Sequence, residues 1–182
     1  MIFDTTKPLN CDALILTPLS EADRDDLTRA ASDPLTWAGH PAKDRHDPKV
    51  FGAYFDFLVV AGGAYVVRDR ACDQIIGCSR YYTAPDMPQT IGIGFTFLHH
   101  DYWGGAWNRR LKALMVEHAF SQFEDVWFHI DPTNIRSQKA TMKLGAVWEY
   151  DAELDLAGQP AMWKVYRLSK DAWSRTMAPQ HV

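Results

Sequence analysis

The sequence predicts an α/β (α+β) fold, a mixed central sheet of about seven strands flanked by about four helices. Three observations predict it. Hydrophobic periodicity alternates between the strand and helix periods in the order strand, two helices, three strands, helix, strand, helix, two strands. Glycine, proline and aspartate punctuate most of the joints between those segments. The length, 182 residues with 47% apolar and 23% charged, suits one domain over residues 1–182 with a core over about 12–168.

The elements follow in order. Residues 13–17 read as a short apolar strand. Ser20 then caps a helix whose first turn is acidic and which stops before Asp33-Pro34. Residues 49–60 read as a second helix, ended by Gly62-Gly63. Residues 64–69 and 74–82 form a hairpin around Arg70-Ala71-Cys72-Asp73, and 90–98 is a third consecutive strand. A long helix over 107–122 leads to a strand over 126–130. A helix over 135–144 is closed by Gly145 in a left-handed conformation. Strands over 146–151 and 162–168 finish the sheet.

Composition narrows the partners. The formal net charge of -4 offers no basic field for DNA. Cys11, Cys72 and Cys78 show no paired spacing, which fits reduced thiols in a cytoplasm and neither a disulfide framework nor a zinc cluster. Residues 1–10 lack the apolar stretch of a signal peptide. No segment approaches the roughly 18 apolar residues of a membrane span. The many aromatic residues read either as a bulky core or as an aromatic-lined cleft.

Chemistry gathers after the third central strand. There Ile91, Ile93, Phe95 and Phe97 alternate on one face, opposite Gly92, Gly94 and Thr96. Glycines inside a strand mark a bulge, a ligand's close approach or a tightly packed helix. The following Trp103-Gly104-Gly105-Ala106 turn enters the helix at Trp107-Asn108-Arg109-Arg110. Unpaired N–H groups at a helix start, flanked by small residues, make an anion site. Arg109 and Arg110 oppose the helix dipole by about 0.3–1 kcal/mol each, which a bound anion would offset. Lys112 lies toward the apolar side and is expected to snorkel or to pair with a carboxylate. Downstream, Asn134 is an N-cap, and Ser137 lies one turn further on.

Together these stretches resemble the GNAT acyltransferases, in particular the ribosomal-protein N-acetyltransferase-like branch. The residues that carry it are Gly94-Phe95-Thr96-Phe97, Tyr102-Trp103-Gly104-Gly105-Ala106-Trp107-Asn108, and Asn134-Ile135-Arg136-Ser137 with Lys143-Leu144-Gly145. Trp37-Ala38-Gly39-His40-Pro41 and Ser79-Arg80-Tyr81-Tyr82 look like one subgroup of that branch. The resemblance implies direct attack of a primary amine, on a small molecule or a peptide N-terminus, on acetyl-CoA or another acyl-CoA. Backbone amides from Trp103 to Asn108, with Arg109, would hold the pyrophosphate. Leu98 would meet the pantetheine, and Asn134 and Ser137 the cofactor or a water.

The family's usual strand glutamate corresponds here to Gly92. Other groups must then take the amine proton. His99 and His100 follow the strand, and imidazole titrates at about 6.5. His40, beside Trp37, is a further choice, and Tyr81 or Tyr82 could serve the leaving thiolate. Asn134 is a catalytic as well as a cofactor-binding candidate, and Trp37, His40 and Tyr81 are candidates for the acceptor site. His99 and His100 are not expected to bind metal, because adjacent strand residues point to opposite faces. Asp23, Asp25, Asp26, Asp44 and Asp47 would suit a cationic amine or are simply a solvated face. Two alternatives stand beside the enzyme: a CoA-binding protein without catalysis, and an interaction protein. The second would use Met162-Trp163-Lys164-Val165-Tyr166 and Trp173 as a homodimer surface.

Overall fold

The computed structural model describes residues 3–177. Its elements are β1 (Leu9–Asn10), β2 (Leu14–Pro18), α1 (Arg24–Ala31), α2 (Pro48–Ala61), β3 (Ala64–Asp69), β4 (Gln74–Tyr82), β5 (Ile91–Leu98), α3 (Trp107–Ala119), β6 (Asp125–Ile130), α4 (Ile135–Met142), β7 (Val147–Asp155), β8 (Pro160–Ser169) and α5 (Lys170–Met177). The expected order holds, with β1 and α5 added. Two residues are too few for β1 to show a period. α5 packs Trp173 into the core, so that residue is no surface aromatic.

The eight strands form one sheet in the order β1-β2-β3-β4-β5-β6-β8-β7. Every pairing is antiparallel except β5 with β6. That parallel pair meets only at Ile91↔Val126 and Gly92↔Trp127, so the two strands part beyond it. One core packs α3 and Trp173 of α5 against the sheet through Ile93, Leu111, Met115 and Phe128. A second packs α1, α2 and Trp37 through Phe51, Phe55, Leu58 and Phe97.

Local chemistry explains the helix ends. Ser20 and Asp23 bond reciprocally at the entry to α1, the Ser20 N–H and hydroxyl both donating to Asp23 Oδ2 at 2.9 and 2.8 Å. Asp47 Oδ1 accepts the Lys49 N–H at 2.8 Å, with Pro48 at the first position of α2. Asn134 Oδ1 accepts the Ser137 N–H at 3.1 Å, and Gly145 holds φ +94 after α4.

β5 departs from the alternation the sequence suggests. Cys78 faces Phe97 and Arg80 faces Gly94, so Phe95 and Thr96 stand opposite Ser79 alone. This bulge, with Phe95 at φ +51, reverses the phase of the strand. Ile91 and Ile93 stay in the α3-side core, while Phe97 joins the α1–α2 core and Phe95 packs against it. The Tyr82 ring, rather than a helix, lies against the strand glycines. A Cβ at Gly92 would come 2.6 Å from Tyr82 Cζ, and one at Gly94 2.9 Å from Tyr82 Cε1. The Tyr82 ring lies across both.

Candidate active site

Where β5 and β6 part, a cleft of about 1210 Å³ opens between the α1–α2 side and the α3–α4 side. It is lined by β5 from Ile93 to Leu98, the 103–106 turn, Asn108 and Arg109. The start of α4, His129 to Asp131 of β6 and its exit, and Trp37, His40, Arg45 and Tyr54 complete it.

The turn end of the cleft is built for an anion. The first helical bond of α3 runs from the Arg110 N–H to the Ala106 carbonyl. The N–H groups of residues 104–109 donate to no acceptor among the described residues, and Gly104, Gly105 and Ala106 are exposed. Gly104 sits at φ +76, a conformation glycine adopts without penalty. The Arg136 guanidinium lies 3.6 Å from the Trp103 ring centroid, bringing the start of α4 over the turn. Arg109 and Arg136 make no ion pair among the described residues. The Asn134 amide nitrogen and Ser137 hydroxyl likewise have no protein partner there. Leu98 gives its carbonyl to the Trp103 indole N–H at 2.9 Å, leaving one lone pair for a ligand. Trp107 turns its ring against Tyr102 instead of the cleft, so only its backbone is available to an anion.

Two buried groups facing the cleft were not singled out as functional from the sequence. His129, 7% exposed, pairs Nδ1 with the Tyr82 hydroxyl at 2.8 Å, and its backbone N–H donates to the same oxygen at 3.2 Å. Its Nε2 is buried without a partner. Burial lowers its pKa, so the ring is neutral at pH 7. The second is Lys112, 6% exposed. It neither snorkels nor meets a carboxylate. Its Nζ donates to Thr96 Oγ1 at 2.7 Å, and Thr96 shares a 2.7 Å bond with Ser79 Oγ. Burial lowers its pKa to about 7. Period-2 patterning puts His129 on the face opposite Val126, Phe128 and Ile130, and nothing in sequence links it to Tyr82.

Other expected residues are dispersed. His99 and His100 leave the strand for a short 3-10 turn and do not line the cleft. They do not point apart as strand neighbours would. Their ring centroids are 4.4 Å apart, and Asp33 Oδ2 is 3.7 Å from His100 Nδ1. Tyr81 is buried beneath α3, donating to the Met115 carbonyl at 2.6 Å, away from the cleft. Trp37 and His40 do line it, with their rings 5.3 Å apart. His40 is neutral, its pKa lowered to about 4 by burial and then by Arg45 and Arg136. None of the five N-terminal aspartates lines the cleft. Asp23 and Asp26 pair with Arg68 and Arg29 instead. Of the proposed dimer aromatics, Tyr166 is buried with Trp173, and Trp163 lines the cleft.

The sequence matches the family model of the acetyltransferase (GNAT) domain over residues 13–147, most of the chain. The chain belongs to the GNAT family of acetyltransferases. No curated protein matches it. Solved structures share the GNAT fold at low identity. A GCN5-related N-acetyltransferase from Brucella melitensis is 16% identical, with 96% of this chain and 84% of that one covered, at a TM-score of 0.77. RimJ of Mycobacterium smegmatis, in complex with CoA-disulfide, is 16% identical over 91% and 87% at 0.64. A structure titled as a ribosomal-protein-serine acetyltransferase from Vibrio cholerae is 15% identical over 93% and 99% at 0.70. Among the described residues no helix is long and apolar enough to cross a membrane.

The space a side chain at Gly92 would enter is filled by the Tyr82 ring, whose hydroxyl carries His129.

Proposed function

We propose that this GNAT enzyme transfers an acetyl group from acetyl-CoA to a primary amine by direct attack. The observation that carries the reading is the pairing of an open amide turn with a buried imidazole in one cleft. Acetyl-CoA, when bound, supplies an activated thioester. The N–H groups of 104–109 would hold its pyrophosphate, aided by Arg109 and Arg136. Asn134 and Ser137 offer further polar contacts. The RimJ complex with CoA-disulfide supports CoA as the group this fold accommodates.

The amine nitrogen bonds to the acyl carbon, the carbon–sulfur bond breaks, and the sulfur leaves as thiolate. We assign the lost proton to His129. In the tautomer that donates Nδ1–H to the Tyr82 oxygen, Nε2 is a bare lone pair in a neutral ring, suited to accept it. Tyr82 then orients the imidazole. Burial raises the pKa of its phenol, which makes it a poor proton donor to the sulfur. Cys78 is no nucleophile, because burial pushes its thiol up to about 12.

Calorimetric titration with acetyl-CoA, followed by thiol release over an amine panel, tests the reading. Submillimolar binding and turnover of at least one amine are expected. His129→Gln should keep acetyl-CoA affinity and lower kcat by about 10²-fold or more. Absence of binding would sink the reading, and unchanged kcat in the variant would remove His129 from its role.

A further inference from the structure

The α2 side of the cleft carries a further cation. The Arg45 guanidinium lies 3.8 Å from the Tyr54 ring centroid and 5.6 Å from that of Trp37. Among the described residues it makes no ion pair and no side-chain hydrogen bond. Several other arginines of this chain have such partners, while Arg109 and Arg136 at the turn end of the cleft share its lack of an ion pair among the described residues. Arg24, Arg29, Arg68 and Arg167 hold carboxylates, and Arg80 donates to the carbonyls of Gly62 and Ala61. Its neighbours in sequence do not supply one either. Asp44 is exposed and Asp47 caps α2. A guanidinium stacked on an aromatic face keeps its planar edge of donors in one orientation, and that edge fits a carboxylate bidentately.

The rest of this wall excludes the opposite kind of acceptor. Asp131 is the only carboxylate lining the cleft among the described residues. Its Oδ1 already accepts the N–H and hydroxyl of Thr133 at 2.7 and 2.5 Å. A diamine or a lysine-rich peptide would bring a second ammonium to a wall of Arg45, Trp37, Tyr54 and Phe95, where among the cleft-lining carboxylates only Asp131 Oδ2 is left to pair with it.

We propose that the acceptor is a small amine bearing its own carboxylate, an amino acid, with the carboxylate held by Arg45 and an apolar side chain against Trp37, Tyr54 and Phe95. This rests on the acyl-transfer reading above. A peptide N-terminus presents an uncharged amide where the amino acid presents its carboxylate, so the two are separable.

The test is thiol release by the full chain at saturating acetyl-CoA, with phenylalanine, phenylalaninamide, phenethylamine and a diamine as matched acceptors. The amino acid should exceed its amide and the decarboxylated amine in kcat/KM by about tenfold or more, because a stacked guanidinium is otherwise left unpaired. Arg45→Gln should raise KM for the amino acid by a similar factor, close the gap to the amide, and leave acetyl-CoA affinity and Tm unchanged. An amide as good as the acid, or a variant that slows every acceptor equally, would overturn the proposal while leaving acyl transfer intact. Turnover of no amine at all would overturn both. A second readout needs no turnover: N-acetylphenylalanine should raise the Tm of the wild type and not of Arg45→Gln, and equal shifts would count against Arg45.

Discussion

Lys112 shows how far one residue can escape sequence patterning. Its place on the apolar side of α3 is legible, but its partner is Thr96, displaced by the bulge in β5. No carboxylate compensates the ammonium, and burial lowers its pKa to about 7. The unfolded chain has its lysine near 10.4, so between about 7 and 10.4 it binds more protons than the folded one. The contribution to stability therefore rises with pH across that window, and the full penalty of the buried charge is felt below it. Lys112→Met should raise Tm at pH 7 and flatten the rise in Tm between pH 7 and 9. A fall in Tm with an unchanged pH slope would show that the Thr96–Ser79 hydrogen bonds outweigh the cost of burying the amine. His40 works in the same direction, lower on the pH scale. Its lowered pKa makes acid between about 6.5 and 4 destabilising, because the unfolded ring protonates first.

At the scale of elements, the turn into α3 and the cap of α4 were readable because their chemistry is local. Gly104 needs its positive φ, and Asn134 bonds a residue three positions away. What was not readable is β5. Strict alternation of Ile91, Ile93, Phe95 and Phe97 is the natural reading of the residues. It fails because one bulge, opposite Ser79, turns the strand over between Ile93 and Phe97. The strand glycines are set by Tyr82 on the neighbouring strand, a contact that no local pattern encodes. Gly92→Ala should place a methyl within the Tyr82 ring and destabilise the fold by about 1–3 kcal/mol. Denaturant unfolding would measure it, and a neutral effect would contradict the close fit of ring to strand.

For the whole molecule, element order alone indicated a mixed sheet, and the family resemblance carried the expectation of a CoA fold. The meeting of distant residues across the parted strands was out of reach. Tyr82 and His129 are 47 positions apart, and Arg45 joins Tyr54 and Trp37 only because a 3-10 turn folds back on α2. His99 and His100 looked best in sequence because they adjoin the strand, yet the chain turns them away from the cleft. Asp23 and Asp26 similarly face arginines of their own, Asp47 caps α2, and none of the five N-terminal aspartates lines the cleft. The proposed direct attack requires this cleft to hold thioester and amine together, with no acyl group passing through the protein. Initial rates of thiol release, with acetyl-CoA varied at several fixed concentrations of an accepted amine, test that claim most directly. Double-reciprocal plots that intersect are the predicted result, and parallel lines, the signature of an acyl-enzyme released between two half-reactions, would contradict it.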